Sequence, residues 1–461
     1  MKLHIENLGP IKKGTIDLNK RVYLFVGYNN SGKTYVAQLL WQLFKLASIR
    51  DYSNFSIKEI DELDLNTQSE LQIELTEKFI ENILNQLLTN LRLNHLFGIE
   101  EFHHILKNVH LEFDYNLEDI YSKKICKNYS FLEILKDSNS TILNLLSKIS
   151  STNKDIKNSS KDNIAPFLSL ATKDAIKTAI GSLFLERRTW PFFLPASRSF
   201  YLANYKYIIN AEREENRLLR ERGSDLNLEE LRKLIPKANY TKAAEQLINR
   251  IHNLKDKPIK NYQKFVKALE SILGGKFKAE NIVEGISPKK FSFLLKNEKE
   301  LPLHLASSSV NQLLSLYLYF KYWAVPKNGF LMIDEPEENL HPKNQSKLTE
   351  LLLDYAGINS NRLLINTHSS LITEVINNYI LLSKLKHEAG VKEHEDYGKY
   401  ENILKPEDIG IYFFNGTEIR EYTIGEYGTI FKDFDREIYK VKNKSEELSK
   451  LIFENLQNAN Q

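Results

Sequence analysis

The stretch Gly27-Tyr28-Asn29-Asn30-Ser31-Gly32-Lys33-Thr34 limits what this chain can fold into more than any other. It fits a phosphate-binding loop, a pattern that carries meaning only between a strand and a helix. Both flanks are present. The apolar run Tyr23–Val26 leads into the loop, and Val36, Leu39, Leu40 and Phe44 recur behind it at helical spacing. The two glycines let the backbone turn its amides inward, and the positive end of the following helix favours an anion. Lys33 is then expected to neutralise phosphate charge, and the Thr34 hydroxyl to ligate Mg2+. The expected nucleotide-contacting set is Gly27, Asn29, Asn30, Ser31, Gly32, Lys33, Thr34 and Tyr35. A glycine-rich turn with an exposed lysine is the bland alternative, and it would not require this strand-loop-helix setting.

A loop of this kind needs a second half, and Phe330-Leu-Met-Ile-Asp334-Glu335-Pro336 has its form: an apolar strand ending in two acids. Alone, two acids after an apolar run usually mark a strand end facing solvent. Paired with the phosphate loop, Asp334 is expected to hold the metal and Glu335 to orient or deprotonate an attacking water. A third apolar run, Leu363-Leu-Ile-Asn-Thr, ends at His368, one helix and one strand downstream of the acids.

Apolar residues make up 42% of the 461 and charged residues 27%, the balance of an ordinary folded protein rather than a disordered or fibrous one. The net charge of +3 gives only a mild bias towards acidic partners. Cys126 is the single cysteine, so an internal disulfide framework and a multi-cysteine zinc site are excluded. The apolar run Gln312–Val325 is too short to cross a bilayer and contains Lys321, so it reads as a buried helix. With no signal-peptide pattern behind Met1, the cytoplasm is the expected compartment and no membrane partner is expected.

Sheet signals cluster at the two ends of the chain. KLHIENL, GTIDL and YLFVG read as three opening strands, while IYFF and EIREYTI close the set. Between them, Leu71, Leu75, Phe79, Ile83, Leu87 and Leu91 suggest one helix over Ser69–Phe97 with Ser69 as its cap. The polar stretch Ser150–Asn163 reads as an exposed loop, and Phe291–Leu305 as a hairpin. The expected fold is α/β, a P-loop fold with its sheet built from both chain ends. The expected divisions are an N-terminal head part at 1–45, a helical insertion at 46–185, a return strand at 186–204, a second helical insertion at 205–280 and a C-terminal head part at 281–461.

The segments IENLGPIKKGTIDL, GYNNSGKT, FLPASRS, LASSSVNQLLSL, FLMIDEPEENLHP and LLINTHSS, in that order, resemble the ABC-type ATPases of the SMC, RecF and OLD group. Within it they are most similar to AAA-family ATPases of prokaryotic anti-phage and abortive-infection systems. The resemblance covers the chain ends and hardly touches the insertions. It implies a P-loop ATPase of ABC type, with ATP and Mg2+ as cofactors and a homodimer or higher homo-oligomer formed by sandwiching nucleotide. Ser307 would take the place of the signature serine that reaches the partner's γ-phosphate, and His368 that of a switch histidine on the γ-phosphate. The group usually has glycine where this chain has Ser309. Glu337–Pro342 would form the D-loop along the interface, and Arg198 would lie near the nucleotide or the interface.

The resemblance further implies the sensor or regulatory component of an anti-phage defence system, holding a protein effector or toxin partner. The alternative is a DNA-clamping repair or chromosome-maintenance ATPase, which leaves nucleic acid open as a partner. His103, His104 and His394 lack companions at metal-ligand spacing. Asp433 and Asp435 lack the preceding strand that a Toprim nuclease would need, so no built-in nuclease is expected.

Overall fold

The computed structural model describes residues 1–48, 60, 70–99, 106–129, 132–147, 171–173, 175–177, 179–181, 183–184, 189–222, 240–254, 257–283, 286–391 and 402–459. Ser69, the loop at 150–163, His103, His104 and His394 lie outside them.

Strands β1 (Lys2–Leu8) and β2 (Ile11–Asp17) form a hairpin, and β3 (Val22–Gly27) runs through the phosphate loop into helix α1 (Lys33–Ser48). Next come β4 (Glu70–Glu74), α2 (Glu77–Thr89), α3 (Leu93–Phe97), β5 (His110–Asp114), α4 (Leu117–Ser122), β6 (Ile125–Asn128), β7 (Leu132–Lys136) and β8 (Ile142–Ser147). Strand β9 (Trp190–Leu194) leads into α5 (Arg198–Arg222), followed by α6 (Lys242–His252) and α7 (Gln263–Leu273). An antiparallel set β10 (Gly275–Val283), β11 (Ile286–Leu295) and β12 (Glu300–Pro302) precedes α8 (Ser308–Leu318). The chain closes with β13 (Gly329–Asp334), α9 (Pro342–Gly357), β14 (Arg362–Thr367), α10 (Ser370–His387), β15 (Ile409–Phe414), β16 (Ile419–Glu421) and α11 (Arg436–Ala459).

One six-stranded sheet, in the order β16-β15-β3-β14-β13-β9, is the frame of the site. Its four pairings from β15 to β9 are parallel, and only β16 runs the other way. A parallel sheet covered on both faces needs strands that are apolar throughout, and β3, β13, β14 and β15 are buried along their whole length. Their side chains divide by the period of two. Tyr23, Phe25, Phe330, Met332, Leu364, Tyr412 and Phe414 join a core with α1 and the N-terminal strands. Val22, Leu24, Val26, Leu331, Ile333, Leu363, Ile365, Ile411 and Phe413 join a second core with α7, α8 and α9. The run Gln312–Phe320 is buried in that second core, at the end of α8 and in the π-turn Tyr319–Trp323 that follows it.

The region expected as a helical insertion at 46–185 is not purely helical. It contributes an antiparallel sheet β4-β8-β7-β6, while β5 pairs with β1 of the N-terminal hairpin. The expected helix from Ser69 to Phe97 is accordingly strand β4 followed by two helices, the first capped by Thr76, whose hydroxyl accepts from Phe79 N. The reason is local. Leu71 and Leu75 fit a helical spacing, but Glu70-Leu-Gln-Ile-Glu74 also alternates with period two, and pairing with β8 decides between them. The second insertion is helical through α5, α6 and α7, yet β10 belongs to the sheet of the following hairpin.

Candidate functional site

In a sheet of this kind ligands sit beyond the carboxyl ends of the parallel strands. The register aligns those ends: Val26 lies beside Thr367, Asn366 beside Asp334, and Ile333 beside Leu194. Gly27 therefore starts its loop directly opposite the two acids and the histidine.

Two glycines are required by the space as well as by the turn. Gly27 has φ 143° and lies so close to β15 that a Cβ would stand 2.1 Å from the Phe414 carbonyl oxygen. Gly32 has φ 93°, and its Cβ would meet the Ile11 side chain at 2.7 Å. Asn30 takes a left-handed turn at φ 57°, which asparagine tolerates. The first intrahelical bond of α1 runs from Val36 N to Gly32 O at 3.1 Å. The amides of Lys33, Thr34 and Tyr35 precede it, so they are the free donors at the positive end of the helix. The Tyr35 ring packs on Phe97 with centroids 5.0 Å apart, which leaves its amide as the group that can serve a phosphate. Asn29 and Asn30 are exposed at the loop tip, whereas Ser31 and Lys33 are buried.

Lys33 folds back over the loop. Its Nζ donates to Gly27 O at 3.2 Å, Tyr28 O at 2.9 Å and Ser31 Oγ at 3.4 Å. Burial pulls its pKa down to about 8 against the opposing pull of Asp334, Glu335 and Glu337. A phosphate group entering the loop would offer this ammonium a full negative charge in place of carbonyl dipoles.

Thr34 and Asp334 face each other, with Thr34 Oγ1 donating to Asp334 Oδ2 at 3.0 Å. Neighbouring ligands of an octahedral Mg2+ bound at about 2.1 Å stand about 3.0 Å apart, so this pair of oxygens has the spacing of one edge of such a site. Asp334 also accepts from Asn366 Nδ2. Burial pushes its pKa up to about 6, with the bonds from Asn366 and Thr34 opposing. Three nearby acceptors, Glu337 Oε2, Asn366 Oδ1 and Gln312 Oε1, are buried with no hydrogen-bond partner among the described residues. Open acceptors suit the waters of a hydrated cation, so the donor set fits Mg2+.

Glu335 is half-exposed, with its Oε1 3.5 Å from His368 Nε2. Burial, and then the Lys33 charge, push His368 down to about 4, so at neutral pH the imidazole beside Glu335 is neutral. The backbone of Glu335 is left-handed, at φ 45°. It is held from both sides: its N–H donates to Asn366 O at 2.9 Å, and its carbonyl accepts from Arg198 Nη2 at 3.0 Å.

Arg198, expected near the nucleotide or the interface, is fully buried directly behind Asp334 and Glu335. Its guanidinium donates to Asp334 O at 2.6 Å, Pro195 O at 3.2 Å and Gln312 O at 3.1 Å in addition to Glu335 O. It joins the end of β13 to helix α8. Desolvation lowers its pKa to about 10, which still leaves it charged at neutral pH. Glu337 is a further member that sequence reasoning placed only in the D-loop. Its Oε1 accepts from Thr367 Oγ1 at 2.6 Å and from His368 N at 3.0 Å, fixing the turn that carries the histidine.

Ser307 stands apart from this group. It caps α8, accepting from Val310 N at 3.4 Å, and pairs with Ser309 Oγ at 2.9 Å on an exposed surface. Among the described residues no hydrogen bond or ion pair joins it to the phosphate loop. The structure thus gathers Lys33, Thr34, Asp334, Glu335 and His368 in one place and leaves Ser307 facing outward.

Residues 1–373 match the AAA ATPase domain family. No curated protein matches the chain. Among solved structures it is similar to the SMC head domain from Thermotoga maritima, at 12% identity and a TM-score of 0.31, covering 92% of this chain and 98% of that one. It is also similar to the Smc head domain with an extended coiled coil, bound to the C-terminal domain of ScpA, derived from Pyrococcus furiosus. There the identity is 11% and the TM-score 0.33, covering 97% of this chain and 98% of that one.

Proposed function

Because the chain belongs to the AAA ATPase domain family and is an ATP-hydrolysing P-loop enzyme, we propose that it works as a nucleotide-switched dimer of ABC type. The observation that carries the reading is the meeting of Lys33, Thr34, Asp334, Glu335 and His368 beyond the carboxyl ends of β3, β13 and β14 while Ser307 caps a helix on an exposed surface. A site with its own acid and base but an outward-facing signature serine is half of a composite site.

In this reading ATP lies along the Gly27–Thr34 loop, with its β- and γ-phosphates on Lys33 and the amides that open α1. Mg2+, held by Thr34 and Asp334, would neutralise charge on the β- and γ-phosphate oxygens. Glu335 takes a proton from a water as its oxygen bonds to the γ-phosphorus, and the bond from that phosphorus to the ADP oxygen breaks, releasing ADP and phosphate. His368, neutral and beside Glu335, orients the water or the γ-phosphate. Ser307 of a second copy completes the site from the other side, so ATP closes the dimer and hydrolysis opens it.

The resemblance in sequence extends the proposal to biology: the switch serves an anti-phage defence system, in which it controls a protein effector. The direct test of the composite site is a disulfide between Ser307→Cys and Asn29→Cys, in a background of Cys126→Ser and Glu335→Gln. The crosslink should form between two chains only when Mg-ATP is present. A crosslink that ignores ATP, or none at all, sinks the sandwich dimer. Copurification from phage-infected cells should then recover one effector in a nucleotide-dependent manner.

A further inference from the structure

Helix α11 is rooted in the body by Asp435 N on Phe431 O at 2.8 Å and Tyr439 N on Asp435 O at 3.1 Å, with Phe431 buried. From Arg436 to Phe453 every described side chain on it is exposed. Yet it is not a polar helix. Ile438, Val441, Leu448 and Ile452 follow one another at steps of three, seven and four, one stripe on one face, with Phe453 at its border. Val441 is 66% exposed and Ile452 61%. A helix with so little of its described surface covered is marginal in water, and an apolar stripe along it asks for cover.

The charges on the same helix say what kind of cover fits. Its first ten residues carry Arg436, Lys440, Lys442 and Lys444 against Glu437, and the remainder carries Glu446, Glu447 and Glu454 against Lys450. One helix therefore holds both halves of a complementary pair. A second copy laid antiparallel sets basic half on acidic half, twice over by the two-fold symmetry, whereas a parallel copy sets like on like. The helix is about 36 Å long, a little over three heptads, which is enough for a short two-helix seam.

We propose that α11 is a homodimerisation helix that pairs antiparallel with α11 of a second copy, without nucleotide and independently of the composite ATP site. The seam is formed by Ile438, Val441, Leu448 and Ile452, and orientation is set by Lys442 and Lys444 on one half against Glu446 and Glu447 on the other.

The full chain, free of nucleotide at low salt, should have the mass of a dimer by light scattering. Leu448→Glu with Ile452→Glu should leave a monomer at the same concentration, while far-UV circular dichroism and ATP hydrolysis by the head report that the rest is folded. Lys442→Glu with Lys444→Glu, or Glu446→Lys with Glu447→Lys, should each weaken the dimer. All four together exchange the two halves and should restore it, as only an antiparallel pairing of like copies allows. A nucleotide-free monomer, a dimer that survives Leu448→Glu with Ile452→Glu, or a fourfold variant no better than its parents would each overturn the proposal. An α11 that instead captures a different protein gives the first of these outcomes. The mass measurements are all made without nucleotide, so failure here and failure of the sandwich dimer are separable.

Discussion

Replacing Arg198 by methionine keeps most of the aliphatic stem and removes every donor of the guanidinium. Four carbonyl oxygens, those of Pro195, Gln312, Asp334 and Glu335, lose a bond of 2.6–3.2 Å; Pro195 O and Glu335 O keep second donors in Arg198 N and Glu338 N, whereas the bonds to Gln312 O and Asp334 O are lost in a buried place. A buried acceptor left unsatisfied costs about 1–3 kcal/mol, and breaking a buried charged contact about 3–5 kcal/mol after relaxation. We therefore expect Arg198→Met to lower stability by about 3–5 kcal/mol, read from urea unfolding. The catalytic consequence is separate. Glu335 is held at φ 45°, a backbone state costing about 1–3 kcal/mol, and Arg198 is one of its three hydrogen-bond restraints, beside Asn366 O and Glu338 N. Once released, the peptide can relax and move the carboxylate by about an ångström, enough for roughly a 10²-fold loss in kcat. ATP affinity, set by the loop and Lys33, should change only a few-fold. Arg198→Lys should not rescue the enzyme, because one ammonium cannot span carbonyls from three segments. If Arg198→Met keeps both its unfolding midpoint and its kcat, the account of Arg198 as the restraint on Glu335 is wrong.

Two further outcomes follow from Lys33. Lys33→Ala should lower ATP turnover by about 10²–10³, the usual loss for one preorganised charge stabiliser, measured as phosphate release by a protein whose fold is checked by circular dichroism. The pH behaviour of the native lysine should split in two. Its folded pKa, about 8, lies below the free value of 10.5, so between the two the folded state binds fewer protons and nucleotide-free stability should rise with pH. ATP needs the ammonium, so its affinity should fall above pH 8, by up to about tenfold per unit. Calorimetric titration across pH 7–10 that shows a flat affinity would remove Lys33 from the phosphate contact.

The parts of the site that were legible in the sequence are those whose chemistry is local. Gly27 to Thr34 needs its glycines, lysine and threonine at fixed offsets, and the apolar run before Asp334 and Glu335 can be read without knowing what it pairs with. Arg198 could not be read that way. Its acceptors lie at 195, 312, 334 and 335 and are backbone carbonyls, which leave no side-chain signature. Glu337 is similar, since its acidic side chain looks solvated until Thr367 and His368 arrive from the next strand. The strands β4 to β8 were hidden because short alternating segments such as His110-Leu-Glu-Phe-Asp114 also carry apolar residues at spacings that suit a helix. Helix α11 had a readable signal in Ile438, Val441, Leu448 and Ile452, but dense charge between them masks the stripe. Ser307 was legible as a cap, and the structure shows it as one.

The most direct measurement is single-turnover hydrolysis and nucleotide retention by Glu335→Gln with Mg-ATP. The substitution keeps the shape of the side chain beside His368 and leaves Thr34 and Asp334 in place, but the amide cannot accept the water's proton. The account predicts ATP bound with near-native affinity, hydrolysis slowed by about 10²–10⁴-fold, and ATP rather than ADP recovered from the protein after incubation. Hydrolysis at the native rate, with ADP recovered, would contradict Glu335 as the base and with it the mechanism built on this site.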